Sequence, residues 1–185
     1  MKIETVVQRG VVREGYQILL RADARLSLPT EYAHICEFYL NLAKTCMTWA
    51  QQIYGESLKK EFLGLESVQE RSRFSSRHYQ LSGSLVWEEE NYAAFLCESM
   101  LTGQWKEPQK SYHRISHVWN IAEQTILPFD EILGRFGIRL SKEKLPFRPD
   151  GIYPLGEEMV FFRNVTDQSP FLEHRLPRFL EKNEK

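Results

Sequence analysis

The first clear pattern in the chain is an alternation of apolar and polar side chains over residues 16–27. Leu19 interrupts it, but otherwise the apolar residues share one face, which consists of Tyr16, Ile18, Leu20, Ala22, Ala24 and Leu26. This period of two predicts a long β-strand with one face in solvent. Residues 3–8 are predicted to form a shorter partner strand, which folds back through Arg9 and Gly10.

A different period follows, in which apolar residues recur every three or four positions between Tyr32 and Tyr54. This spacing predicts an amphipathic helix of about six turns. Thr30 is the predicted N-cap, and Glu31 is an acid in the first turn, where the helix dipole favours negative charge. Gly55 is the predicted end of the helix.

In most of the remaining chain, the residue pattern is typical of β-strands. Alternation predicts strands over residues 76–87, 92–102 and 111–121, with a polar hairpin turn at 88–91. A short helix is predicted at residues 128–133 and a last buried strand at 159–162. We therefore predict an α+β fold, with one long helix packed on a mostly antiparallel sheet and a short second helix. Residues 1–172 are predicted to form a single domain, and residues 173–185 a charged tail that frays.

The composition narrows the function classes. The 185 residues include 24 Lys and Arg against 25 Asp and Glu, a net charge of -1, and 42% are hydrophobic. This balance excludes a disordered chain and a membrane bundle, and it gives no general attraction to nucleic acid. No apolar run is long enough for a transmembrane helix or a signal peptide. We expect a cytoplasmic protein without a nucleic-acid partner, or an extracellular one if the chain is a trimmed piece.

Motifs for catalysis or metal binding are weak in this sequence. His113 and His117 fall in a predicted strand, where four residues separate them by about 13 Å, too far to share a zinc ion. The acids at residues 88–90 are interpreted as a solvated turn, and the basic run at 70–78 as a solvated strand entrance. No nucleophile or phosphate-binding motif is present. We therefore predict no catalytic, cofactor or metal-binding residue, and interpret Cys36, Cys46 and Cys97 as reduced, buried hydrophobes.

Aromatic residues are the more informative candidates. They cluster in or beside the predicted hairpins, at Trp87, Tyr92, Trp105, Tyr112 and Trp119. Tyr92 and Trp105 lie in or near predicted turns, where large apolar side chains often mark a binding surface. The alternative is that most of these rings pack under the long helix.

Four short segments carry a resemblance to a known family: Leu28-Pro29-Thr30 before the long helix, Leu101-Thr102-Gly103, Trp119-Asn120-Ile121 with the segment 126–133, and the segment 147–152 with 159–164. Together they resemble the extracellular C-terminal domain of lysozyme-sensing bacterial anti-sigma factors, which is also found beside peptidoglycan polysaccharide deacetylases. Gln104 and Trp105 depart from the family pattern, whose histidine is absent here. The resemblance implies a bacterial α+β recognition domain rather than a catalyst.

Three hypotheses of function follow. The first is a non-enzymatic binding module for a protein partner, with Trp105, Tyr112 and Tyr92 as candidate partner-binding residues. The second is a glycan-binding accessory domain for cell-wall fragments, with the same rings stacking on sugars. The third is a cryptic hydrolase built from His113, His117 and nearby acids. The identity of the partner and the oligomeric state stay open at this point.

Overall fold

The computed structural model describes residues 2–103, 111–138, 145–164 and 171–178. The chain forms two compact units, the first made of Met1–Gly83 with Ser99–Ser111 and the second of Ser84–Glu98 with Tyr112–Lys185. The helices are α1 (Ala33–Leu63), α2 (Val68–Ser72) and α3 (Phe129–Arg135). The strands are β1 (Ile3–Glu14), β2 (Gln17–Pro29), β3 (Arg77–Glu89), β4 (Tyr92–Thr102), β5 (Ser111–Asn120), β6 (Thr125–Ile126), β7 (Gly151–Leu155), β8 (Glu158–Asn164) and β9 (Phe171–Pro177).

The strands of the described residues form two sheets, one in the order β1-β2-β3-β4-β5-β6 and one in the order β7-β8-β9. The pairs β1/β2, β5/β6, β7/β8 and β8/β9 are antiparallel. The α+β class with mostly antiparallel strands is therefore confirmed, while the second sheet and α2 were missed. Helix α2 has only five residues and no buried side chain, so its one sequence signal is the capping box of Ser67 and Glu70.

The core of the first unit lies between β2 and α1. The apolar face of β2 is buried from Leu20 to Leu28, as the alternation predicts. It meets the buried stripe of α1, which consists of Ile35, Tyr39, Ala43, Met47, Ala50, Gly55 and Leu58. Tyr16 is wrongly placed on this face by the sequence, because it lies in the turn after β1 and is fully exposed. Leu19 is buried where the β1–β2 register shifts at Val12/Arg13.

Helix α1 is 31 residues long and continues through Gly55, where the sequence predicted its end. Gly55 is buried, and a Cβ at this position would lie 3.0 Å from a methyl carbon of Val12. This glycine therefore permits close contact with β1 rather than ending the helix. The N-cap is Tyr32, so the predicted cap at Thr30 is wrong. The Thr30 hydroxyl and amide instead donate to the carbonyl of Lys2, across the β1–β2 pair.

The second unit has its own core. It is built from β8 and α3 with parts of β4, β5 and β7, and includes Ala94, Val118, Ile132, Phe136, Ile152, Tyr153, Met159, Val160, Phe161 and Phe162. The predicted strand at 159–162 and the predicted hairpin between β3 and β4 are confirmed, but Glu88 and Glu89 belong to β3 and the turn consists of Glu90 and Asn91 alone. Strand β9 contains residues 173–177, which the sequence assigned to the tail. Among the described helices, none has an apolar stretch long enough to cross a membrane.

Candidate functional site

Strand β1 stands at one end of the six-stranded order, with β2 as its neighbour. The amide of Thr30 donates to the carbonyl of Lys2, which makes the pair Lys2/Thr30 a hydrogen-bonded pair of the antiparallel ladder. Hydrogen-bonded and non-bonded pairs alternate along such a ladder. The odd-numbered residues of β1 therefore point their backbone N–H and C=O groups away from β2, up to the irregularity at Val12. Thr5, Val7, Arg9 and Val11 form this open edge.

The open edge is long and partly apolar. Ile3, Val7 and Val11 expose 51%, 49% and 48% of their surface. Sheet edges are usually protected by proline, by bulges or by a covering element, because unpaired backbone groups attract a further strand. Strand β1 contains no proline, and its register shift comes only at Val12/Arg13. Among the described strands, β1 is paired with β2 alone, so an edge of about nine residues, from Ile3 to Val11, is available for strand pairing.

A cavity of about 490 Å³ lies between the N-terminal half of β1, the end of β2 and the start of α1. Its lining includes the apolar side chains of Val6, Leu28, Ala33, Cys36 and Leu40. Glu4 and Glu37 line it as well. The helix contacts β1 closely further along, where a Cβ on Gly10 would meet the Gln51 side chain. The cavity is therefore where an apolar side chain from an added strand would find space.

Cys36 contributes an apolar wall to this cavity. Its thiol donates to the carbonyl of Pro29 at 3.1 Å. Burial raises the pKa of Cys36, the nearby Glu4 carboxylate adds to the increase, and a backbone hydrogen bond only partly opposes it. A thiol with a raised pKa is protonated at neutral pH and is a poor nucleophile. Cys36 is accordingly not an activated nucleophile in this cavity.

The predicted partner-binding aromatics are placed elsewhere. Trp105 lies outside the described residues. Tyr112 is half-buried on β5. Tyr92 is half-buried at the start of β4, where the Arg135 guanidinium stacks 4.7 Å from its ring centroid and donates to its hydroxyl. Of the other rings, Trp119 is buried, and Trp87 packs edge-to-face against Phe136 and lies under the Arg178 guanidinium. The role of Trp105, Tyr112 and Tyr92 as a partner surface stays a prediction.

The two histidines of β5 also have different surroundings. His113 is exposed and His117 is half-buried. Within the described part of the chain, no three His, Cys, Asp or Glu side chains group together as metal ligands would. Burial lowers the pKa of His117 below its usual value. The hydrolase hypothesis gains no site from these positions, and it stays a prediction.

The lowered pKa of His117 leads to a pH-dependent stability. The unfolded chain, with an ordinary histidine pKa near 6.5, binds more protons than the folded protein just below that pH. The free energy of unfolding should therefore fall as the pH decreases from about 7.5 through 6.5 towards the folded pKa. Urea unfolding at a series of pH values should give a shallower slope for His117→Gln. A slope for His117→Gln equal to the wild-type slope would contradict the assignment.

The sequence pattern did not reveal this edge and cavity. It predicted only residues 3–8 as the partner of the first long strand, although alternation of exposed and covered side chains continues to Glu14. The outward-facing positions of β1 mix apolar and polar residues: Ile3, Thr5, Val7, Arg9 and Val11. Because neither class of residue marks one face, this run alone gives no clear signal of an edge strand. The pattern becomes interpretable only when β2 is paired with it residue by residue.

Comparison with known proteins supports the fold. No protein-family model matches the chain, and no curated protein matches its sequence. A DUF3298 family protein from Pseudomonas aeruginosa superposes with a TM-score of 0.55, at 10% identity over 95% of this chain and 90% of that chain. A DUF3298 family member from Bacteroides fragilis gives 0.50, with the same identity and coverage. The chain shares the fold of these DUF3298 proteins. At 10% identity the likeness to DUF3298 structures is one of fold, and the predicted link to lysozyme-sensing anti-sigma factors stays a prediction.

Proposed function

We propose that this protein is a non-enzymatic binding module, which holds an extended segment of a protein partner as an added strand on β1. The observation that carries the proposal is the open edge of Thr5, Val7, Arg9 and Val11, whose backbone groups point away from β2. Strand addition to a sheet edge obtains affinity from main-chain hydrogen bonds and specificity from alternate side chains. Strand β1 offers both outward main-chain groups and alternating side chains.

The energetics favour a segment of moderate length. Each new main-chain hydrogen bond contributes about 0.5–1.5 kcal/mol net, and four edge residues offer several such bonds. Side chains on one face of the added strand would lie towards the cavity beside Val6, Leu28 and Leu40. Burial of apolar area there adds roughly 25 cal/mol per Å². Ordering the segment offsets part of this gain, so we expect reversible binding rather than a permanent complex.

The proposed class of function is the one predicted from the sequence, but the proposed binding surface is the edge of β1. The aromatic surface of Trp105, Tyr112 and Tyr92 remains the competing location, and the glycan-binding alternative depends on the same rings. The edge of β1 requires backbone amides, whereas the aromatic surface requires side chains. A substitution that removes one amide and little else therefore separates the two locations.

The test uses peptides selected from a random nonapeptide display library on the wild-type protein. Val7→Pro removes one outward N–H while keeping the β2 ladder, since proline is tolerated at an edge position of this kind. We expect it to weaken the selected peptides by about tenfold or more, as measured by fluorescence anisotropy. The matched variant Val7→Thr keeps the amide and should bind nearly as the wild type does.

Two further variants complete this test. Thr5→Pro acts at a second outward amide and covers the case in which Val7→Pro lowers the melting temperature. Tyr112→Ala should leave peptide affinity unchanged. If the proline variants bind normally and Tyr112→Ala does not, the edge is the wrong surface and the aromatic one is right. A library that yields no enriched sequences would refute strand addition on this protein.

A further inference from the structure

The solvent face of β1 and β2 is strongly basic. Because paired residues of an antiparallel ladder share a face, Arg9 lies opposite Asp23, Val7 opposite Arg25 and Val11 opposite Arg21. Arg13 continues this face on β1 and is exposed, as are Arg9, Arg21 and Arg25. Four arginines thus stand on one face of two strands in a chain whose net charge is -1. We call these four residues the arginine face.

Asp23 is the single carboxylate on this face of β1 and β2, and it is already engaged. One of its oxygens lies 2.5 Å from Nε2 of His78, and the other lies 3.9 Å from Nε of Arg9. The Arg9 side chain is 81% exposed despite this contact. The acids of β1, Glu4 and Glu14, fall at even positions on the opposite face of the ladder. The arginine face therefore keeps a large positive excess directly beside the open edge.

We infer that the segment added to β1 is an acidic peptide strand, with carboxylates on the side chains that face the arginine face and small apolar residues on the alternate positions. This inference rests on the proposed function and specifies its partner. Directly opposed and diagonal side chains of neighbouring strands interact, so carboxylates on an added strand lie within reach of Arg9 and Arg13. The alternate positions would point towards the cavity beside Val6 and Leu40.

Two other occupants fit the observations less well. The β1 strand of a second copy would bring its own Arg9 and Arg13 to the pairing and no carboxylate of β1 on that face, so like charges would oppose. Single-stranded nucleic acid is anionic, but it binds flat sheets through stacked aromatic rings. The paired residues of β1 and β2 on this face include no aromatic side chain. An acidic peptide strand can accept hydrogen bonds from the edge amides of β1 and place its carboxylates beside the arginine face.

The experiment measures fluorescence anisotropy of the acetylated, amidated octapeptide VETEVETE against the full chain. Controls are VKTKVKTK, the block sequence VTVTEEEE and an oligothymidine of similar charge. Wild-type protein should bind VETEVETE about tenfold more tightly than VKTKVKTK at low salt, because two exposed ion pairs supply that difference. The preference should shrink as salt rises, since exposed charges are screened.

Variants with altered charge on β1 test whether the arginine face selects the acidic peptide. Arg9→Glu with Arg13→Glu should invert the preference, so that VKTKVKTK binds more tightly, and the paired glutamine variants should abolish it. Arg73→Glu with Arg163→Glu makes the same change in net charge at exposed positions outside β1 and β2 and should leave the preference intact. Val7→Pro should weaken every bound peptide.

The outcomes separate the two proposals. If Val7→Pro abolishes binding while charge reversal leaves the preference unchanged, strand addition stands and the acidic partner is wrong. If Val7→Pro has no effect, strand addition fails. If VTVTEEEE or oligothymidine binds as tightly as VETEVETE, the arginine face is a general anion surface and the acidic strand is refuted. A dimer in gel filtration that is lost with Val7→Pro would assign the edge to a second copy.

Discussion

Replacing Arg114 with methionine is expected to lower the free energy of unfolding by about 2–3 kcal/mol. The Arg114 side chain is only 7% exposed. Its Nε donates to Glu98 at 2.8 Å and its Nη1 donates to Glu173, while the guanidinium lies over the Phe162 ring. Burial opposes the charge, but the hydrogen bonds to Glu173 and Glu98 outweigh it and raise the pKa of Arg114. The methionine variant leaves two acids without their shared cation.

The expected loss is below the 3–5 kcal/mol typical of a fully buried pair, because Glu98 and Glu173 stay 44% and 27% exposed and can be partly hydrated. Arg175 on β9 is the matched control. It contacts Glu158 and Glu173, but it is about half-exposed. Arg175→Met should cost no more than about 0.5 kcal/mol. Urea unfolding of both variants measures the difference, and equal losses would show that burial of Arg114 does not govern this cluster.

Replacing Gly103 with alanine should cost about 2–4 kcal/mol. Gly103 has a φ of +135°, a backbone region that glycine adopts readily and L-residues rarely do. An added Cβ would lie 2.5 Å from Cδ of Arg77. The Arg77 side chain cannot easily move aside, because it is 5% exposed, pairs with Glu61 at 3.4 Å and donates to the carbonyl of Ser75. Backbone strain and the steric clash add to each other here.

Gly156→Ala is the control for this substitution. Gly156 also has a positive φ, of +58°, but a Cβ there would meet nothing within 4 Å. Its cost should be limited to the left-handed backbone, about 1 kcal/mol. Chemical denaturation of the two variants isolates the contribution of Arg77. If Gly103→Ala is no more destabilising than Gly156→Ala, the Arg77 side chain has room to rearrange.

Local patterns predicted the elements well where one face of an element is buried along its whole length. Strand β4 has the predicted limits, Tyr92–Thr102, and the period of α1 is correct from Ile35 to Ala50. Thr30 and Gly55 were misassigned because threonine can cap a helix or hydrogen-bond elsewhere, and glycine can end a helix or permit close packing. Their actual contacts are with Lys2, which directly precedes β1, and with Val12 in β1, and both are distant in sequence.

The candidate site could be predicted less well than the fold. An open edge depends on the order of strands in the sheet, and that order is set by long-range pairing rather than by the composition of β1. The arginine face has a more local origin, since Arg9, Arg13, Arg21 and Arg25 are brought together by the register of the β1–β2 hairpin, and the sequence pattern predicted the partner strand only as far as residue 8. The sequence shows that aromatic residues lie near predicted turns. It does not show whether another side chain covers them, as Arg135 covers the ring of Tyr92.

The sequence by itself determined the α+β class, the long helix and the buried face of β2, because the periods of 2 and 3.6 residues follow directly from strand and helix geometry. Only the tertiary structure decided which strand is left at the edge, how closely α1 contacts β1 at Gly10 and Gly55, and which acids surround Arg114. These features join residues far apart in sequence. Their free energy comes from packing and pairing between elements, so no local period could encode them.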